Sequence, residues 1–166
     1  MRVLALAWLA LGMVTATPAV ADWQYTKWGM TPEQVIKAAH SKSRQITRLV
    51  ERQQGAAEDA GRVGQKALLS GEWSSGRFEF EVHFFFNPRR KLASVELTLA
   101  NSEDEHVLAN ELTKRYGVPE DSGSVAGEFH RWRTQTEEIW FFGTIGAGFP
   151  TRVVYAPRHS ADNSGL

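Results

Sequence analysis

Hydrophobic and polar positions alternate most regularly between Arg77 and Ala100. Phe78, Phe80, Val82, Phe84 and Phe86 take every second position, with Arg77, Glu79, Glu81 and His83 between them, the period of a strand with one buried face. A turn over residues 87–91 follows, and Ala93, Val95, Leu97 and Leu99 then alternate with Ser94, Glu96 and Thr98. The stretch predicts a β-hairpin with a dry face and a wet one. Phe85 breaks the wet face, where it is expected to be a lone exposed aromatic, with the start of a second small cluster with Leu92 or a binding patch as the alternatives.

Elsewhere the period lengthens to that of helices. Thr31 is placed as an N-cap, Pro32 as the first helical residue and Gln34 as the second half of a capping box, while Met30 and Val35 are spaced for a hydrophobic staple. Val35, Ile36 and Ala39 supply the apolar side of this helix, which should end within residues 40–43. Ile46, Leu49 and Val50 suggest a short second helix within residues 44–63, where Gly55 and Gly61 act as breakers. Residues 65–70 read as a strand and 71–76 as a loop carrying Trp73. Ser102 and Glu105 form another capping-box pattern, Leu108, Leu112 and Tyr116 share a helical face, and Gly117 with Pro119 is a stop. Residues 120–127 make a polar loop, and 128–134, 137–142 and 151–156 read as strands, the first two joined at Gln135 and Thr136.

A helix followed by about three strands thus occurs twice. Hairpin connections imply antiparallel pairing, so the expected class is α+β. The expected fold is one antiparallel sheet with two main helices on the face carrying Phe78, Phe80, Val82, Leu97 and Leu99, in an order compatible with a tandem α-β-β-β arrangement.

The N-terminal segment reads as an address. Arg2, the apolar run 3–14 and the Ala19-Val20-Ala21 site predict a signal peptide over residues 1–21, cleaved after Ala21. A single domain over 22–157 and a disordered polar tail over 158–166 should follow. The expected location is outside the cytoplasm, in the periplasm or secreted. No later segment is apolar for long enough to span a bilayer, so no transmembrane segment is expected after cleavage. Acidic and basic residues number nineteen each, which provides no net field for nucleic acid. Cysteine is absent, excluding disulfides and thiolate chemistry. Stability must then come from packing, to which Trp23, Trp28, Trp73, Trp132 and Trp140, the tryptophans beyond the expected cleavage site, contribute.

Candidate chemistry is sparse. Glu79, Glu81 and His83 line the polar side of the hairpin with Glu96 across from them, an arrangement open to acid–base chemistry or to plain solvation. His40, His83, His106, His130 and His159 show no metal-ligand spacing. No metal or other cofactor is expected. The G-x-S-x-G and S-x-x-K signatures are missing, and Gly143, Gly146 and Gly148 lack the lysine and the helix of a phosphate loop. Candidate binding residues are Trp23, Tyr25 and Trp28, an aromatic group that either packs onto the core or forms a sticky surface, together with Phe85, Arg131 and Arg133. Arg89, Arg90 and Lys91 make a solubilising hairpin tip.

The run from Trp28 through Gly29, Met30, Thr31, Pro32, Glu33, Gln34 and Val35 to Ile36 resembles the helix opening of small exported bacterial domains in the β-lactamase-inhibitor-protein-like group, which also includes the small lipoprotein of the outer-membrane assembly machinery. The resemblance implies a Gly-Met-Thr helix start ahead of an antiparallel sheet, and a function in binding proteins instead of catalysis. The lipoprotein members carry a cysteine at the mature N-terminus, which this chain lacks. The expected function is an exported, non-catalytic domain that binds an envelope protein or another envelope ligand. The alternative is a small envelope hydrolase using the Glu79, Glu81 and His83 face.

Overall fold

The computed structural model describes residues 23–42, 64–124, 127–144 and 150–158. The expected signal peptide, the short helix within 44–63 and the tail from residue 159 lie outside the described residues. Among those described, no helix is long and apolar enough to cross a membrane.

The elements are α1 (Pro32–Ser41), β1 (Lys66–Ser75), β2 (Phe78–Phe86), β3 (Leu92–Leu99), α2 (Glu105–Tyr116), β4 (Asp121–Gly123), β5 (Phe129–Arg133), β6 (Glu137–Phe142) and β7 (Arg152–Pro157). All the strands form one antiparallel sheet in the order β1-β2-β3-β7-β6-β5-β4. Each helix is therefore followed by a meander, and the last strand of each meander, β3 or β7, meets the other at the centre. This is the expected α+β fold in the tandem order, with β4 added at one edge.

Local chemistry explains the ends of the helices. At α1 the Gln34 N–H donates to Thr31 Oγ1 at 3.4 Å and the Thr31 N–H donates to Gln34 Oε1 at 2.8 Å, completing the box. At α2 the expected Ser102–Glu105 box does not form. A 3-10 turn, Ser102–Asp104, precedes the helix, and Asn101 Oδ1 caps it by accepting from Glu103 N–H at 3.1 Å. Glu105 is drawn instead to residues flanking β6 and β7. Gly117, at φ +86°, ends α2 by donating its N–H to Thr113 O at 2.8 Å, a left-handed backbone that glycine adopts without a Cβ penalty.

The segment 71–76 is not a loop. Gly71, Glu72, Trp73 and Ser74 pair with Val82, Glu81, Phe80 and Glu79, and the chain reverses at Gly76 (φ +60°) and Arg77. Glycine and serine have low strand propensity, but the Trp73 ring stacks on Phe80 at 5.3 Å and 20°. That cross-strand contact and the template of β2 outweigh local preference. The expected loop over 120–127 likewise contains β4, whose three residues pair with β5. At the other end of the domain, Arg158 N–H and Nη1 donate to Thr136 O and Thr134 O at 2.8 and 3.1 Å. The fold thus holds one residue that had been expected in the tail.

One sheet face carries the main core. Val35 from α1 and Leu108, Ala109 and Leu112 from α2 join Phe80, Val82, Phe84, Phe86, Leu97 and Leu99 in a single cluster, which continues through Trp132, Ile139, Phe141 and Val153. Fully burying each large side chain contributes roughly 1.5–3 kcal/mol. Trp23 is buried here, edge-on to Trp73 and Phe84 at 5.8 and 5.7 Å, and Tyr25 and Trp28 pack against the same cluster.

The opposite face is not wet as expected. His83, Phe85, Ser94 and Glu96 are buried, and Val154 with them. These positions lie on β2, β3 and β7, the inner strands of the sheet. Phe85 lies beside the His83 ring at 6.5 Å, and Ser94 Oγ donates to Gln65 Oε1 at 2.8 Å. Phe85 is consequently no exposed aromatic. Burial ends along β2 itself, where Glu79 and Glu81 are exposed, as is Glu72 opposite Glu81 on β1.

Candidate functional site

The polar residues of the central hairpin are partly brought together. Glu81 Oε1 lies 3.2 Å from His83 Nε2, and His83 faces buried Glu96 across the β2–β3 ladder. Glu96 Oε2 is in turn 3.7 Å from Arg152 Nη1 on β7. Glu79 pairs across the sheet with Ser74, one row removed from this group. Of the aromatic candidates, Trp23, Tyr25 and Trp28 are spent on the core, and Phe85 is buried.

Arg131 and Arg133 stand differently. On β5 the odd positions Phe129, Arg131 and Arg133 face away from α2, while His130 and Trp132 share the side of the core. The register with β6 and β7 then sets out a grid on the outer face. Phe129, Phe142 and Arg152 form one row, Arg131, Trp140 and Val154 the next, and Arg133, Glu138 and Ala156 the third. Phe129 and Phe142 lie 5.4 Å apart, and the Arg152 guanidinium sits 5.6 Å from the centre of the Phe142 ring, within cation–π range.

Each arginine of the grid has an acidic neighbour. Arg131 Nη2 is 3.2 Å from Asp121 Oδ2, and Arg133 reaches Glu138 Oε1 with Nε at 2.9 Å and Glu120 Oε2 with Nη1 at 3.3 Å. Arg152 has Glu96. The Nε–H groups of Arg131 and Arg152 are shielded from solvent and have no acceptor. Phe129, Trp140 and Phe142 are half-buried, yet none of them belongs to the main core cluster or packs against it.

Arg131 and Arg133 were legible as candidates from their shared parity. Phe129, Trp140, Phe142 and Arg152 were missed, because their assembly depends on pairing β7 with β6. One signal was available: 137–142 carries apolar residues on both parities, more than a single core face requires.

A second polar group lies on the core side, at the start of α2. Ser122 Oγ is 3.0 Å from His130 Nδ1, and His130 Nε2 is 2.7 Å from Glu128 Oε1. The His130 ring rests on Phe141 at 5.8 Å and 24°. With Glu128 ionised, Nε2 carries the proton and donates to it, and Nδ1 accepts from the serine hydroxyl. The chain pins the three-residue β4 to β5. Its serine–imidazole–carboxylate order is also that of an activated nucleophile, and it was not legible from local pattern because Ser122 falls in the expected loop over 120–127. His106 Nδ1 approaches Glu128 Oε2 at 3.7 Å. Among the described residues, no group of three or more His, Asp or Glu side chains is arranged to hold a metal ion.

Next to it, Glu105 accepts from Thr144 N–H at 2.8 Å, Thr144 Oγ1 at 2.6 Å and Thr151 Oγ1 at 2.5 Å. Burial works against the charge of this carboxylate, but the three hydrogen bonds prevail and hold it below the usual carboxylate range. Its role is to fix α2 on the sheet.

Comparisons of the chain with family models, with curated proteins and with solved structures return no match.

Proposed function

We propose that the protein is an exported, periplasmic, non-catalytic α+β domain that binds a protein or another envelope ligand on the outer face of β5, β6 and β7. The observation that carries this reading is the set of half-buried aromatics, Phe129, Trp140 and Phe142, lying outside the core among Arg131, Arg133 and Arg152. Aromatic side chains and arginine are the residue types most enriched where binding energy concentrates. Export is supported by the apolar run 3–14 and the small-residue site ending at Ala21. The resemblance of the α1 opening to exported protein-binding domains points the same way.

The test compares the wild-type chain with the double variant Trp140→Ala/Arg131→Ala, each expressed in its host and recovered from envelope extract with whatever it retains. Retained material should be lost from the variant while its melting temperature stays near that of the wild type. A folded variant that keeps every wild-type partner and ligand would falsify the proposal.

A second reading, a small envelope hydrolase, is favoured by the 3.2 Å approach of Glu81 to His83 with Glu96 opposite. Turnover of nitrophenyl glycosides and esters by the wild type, abolished in Glu81→Gln/His83→Asn, would support it. Equal rates in the two proteins would remove that face from consideration. Ser122→Ala run alongside reports on the Ser122–His130–Glu128 chain.

A further inference from the structure

We infer that the ligand of the β5–β7 face is a neutral saccharide chain; this inference rests on the binding reading above and names the occupant. The three rows are two residues apart along the strands, so they span about 13 Å, and the three strands span about 10 Å across, a footprint that a ligand a few rings long matches.

Charge then narrows the chemistry. Arg131, Arg133 and Arg152 each face a carboxylate, from Asp121, Glu120 and Glu138, or Glu96. The face accordingly offers no uncompensated field to draw a polyanion or a polycation. It does offer donors and acceptors side by side, in the guanidinium–carboxylate pairs themselves. A sugar hydroxyl both donates and accepts, so it can bridge an arginine and its carboxylate without separating them. Between these pairs stand Trp140 and the Phe129–Phe142 pair. Aromatic rings of this kind present an apolar surface to the C–H face of a sugar while the rim remains polar. An acidic peptide would be drawn to the arginines but repelled by Asp121, Glu120 and Glu138, two of which are about half exposed.

The experiment titrates the full chain, in the form its host produces, with neutral hexasaccharides of glucose, of N-acetylglucosamine and of mannose. Polygalacturonate and a poly-glutamate peptide serve as charged probes. Affinity is read by calorimetry, and the site by nitrogen–proton correlation spectra of the wild-type protein. At least one neutral hexasaccharide should bind, with shifts concentrated on β5, β6 and β7, and Trp140→Ala should weaken it roughly tenfold or more.

Binding by none of the neutral probes, preference for a charged probe, or shifts mapping elsewhere overturns the inference. Should the neutral probes fail while an envelope protein is retained by the wild type and lost from Trp140→Ala, the saccharide falls and the binding face stands. Should Trp140→Ala lose nothing in either assay, both fall. If Trp140→Ala does not fold, Arg131→Ala and the wild-type spectra decide between the same outcomes.

Discussion

Thr151 Oγ1 donates to Glu105 Oε2 at 2.5 Å, so the first turn of α2 is bonded directly to the residue that leads into β7. Thr144, which follows β6, gives the same oxygen its N–H and its hydroxyl. One carboxylate thereby fastens a helix to the ends of two strands. Its pKa is lowered in the folded protein, so the stabilisation is complete above the unfolded value near 4.3 and fades as pH falls through the folded value. Glu105→Gln should cost about 1–3 kcal/mol at neutral pH and flatten the acid limb of the melting temperature plotted against pH. Parallel acid limbs in the two proteins would show that Glu105 is not the group responsible.

Gly143 sits under the same fastening. A Cβ there would lie 2.6 Å from Glu105 Oε1 and 3.0 Å from Glu128 Cβ. Glu105 is held by its threonines and cannot swing away freely. Gly143→Ala is expected to destabilise by about 1–3 kcal/mol, with a smaller cost in a Glu105→Ala background. A double-mutant cycle by denaturant unfolding measures the difference, and simple additivity would rule out the clash.

Two aromatic truncations should behave in opposite ways. Phe84 is almost fully buried against Trp23, so Phe84→Ala should lose roughly 3–5 kcal/mol. Trp140 lies outside the core cluster, and Trp140→Ala should lose about 1 kcal/mol or less. Comparable losses by calorimetric melting would mean that the outer aromatics are structural, and would weaken the binding proposal with them.

Capping separates local sequence pattern from structure. Asn101 caps the turn before α2, and Ser102 has no such role. Asn101→Ala should cost about 1 kcal/mol and Ser102→Ala far less. Thr31→Ala at α1 should also cost about 1 kcal/mol, because its box forms as the sequence implies. Equal effects at residues 101 and 102 in chemical unfolding would contradict this assignment.

These cases mark where sequence was sufficient. The period-two runs of β2 and β3, the Thr31–Gln34 box and the Gly117 stop are set by neighbours a few residues apart, and each was legible before any tertiary contact was known. The α+β class followed from their order along the chain. Of the binding candidates, Arg131 and Arg133 could be placed on one face by parity alone.

The remainder was decided by pairings between residues far apart in sequence. β1 runs on to Ser75 because β2 offers a ladder and Phe80 a ring for Trp73. Glu105 leaves its expected cap because Thr144 and Thr151 provide better donors across the sheet. His83, Phe85 and Glu96 are buried on the second face of the sheet while Glu79 and Glu81 of the same face are exposed, and alternation along a strand cannot show which of its outward positions will be covered. The grid of Phe129, Arg131, Trp140, Phe142 and Arg152 exists only once β5, β6 and β7 are side by side. The sequence by itself determined the period and the ends of its elements through local hydrogen bonding and side-chain spacing; the neighbours of each strand, and hence which polar and aromatic residues meet, depend on long-range pairing that no local pattern encodes.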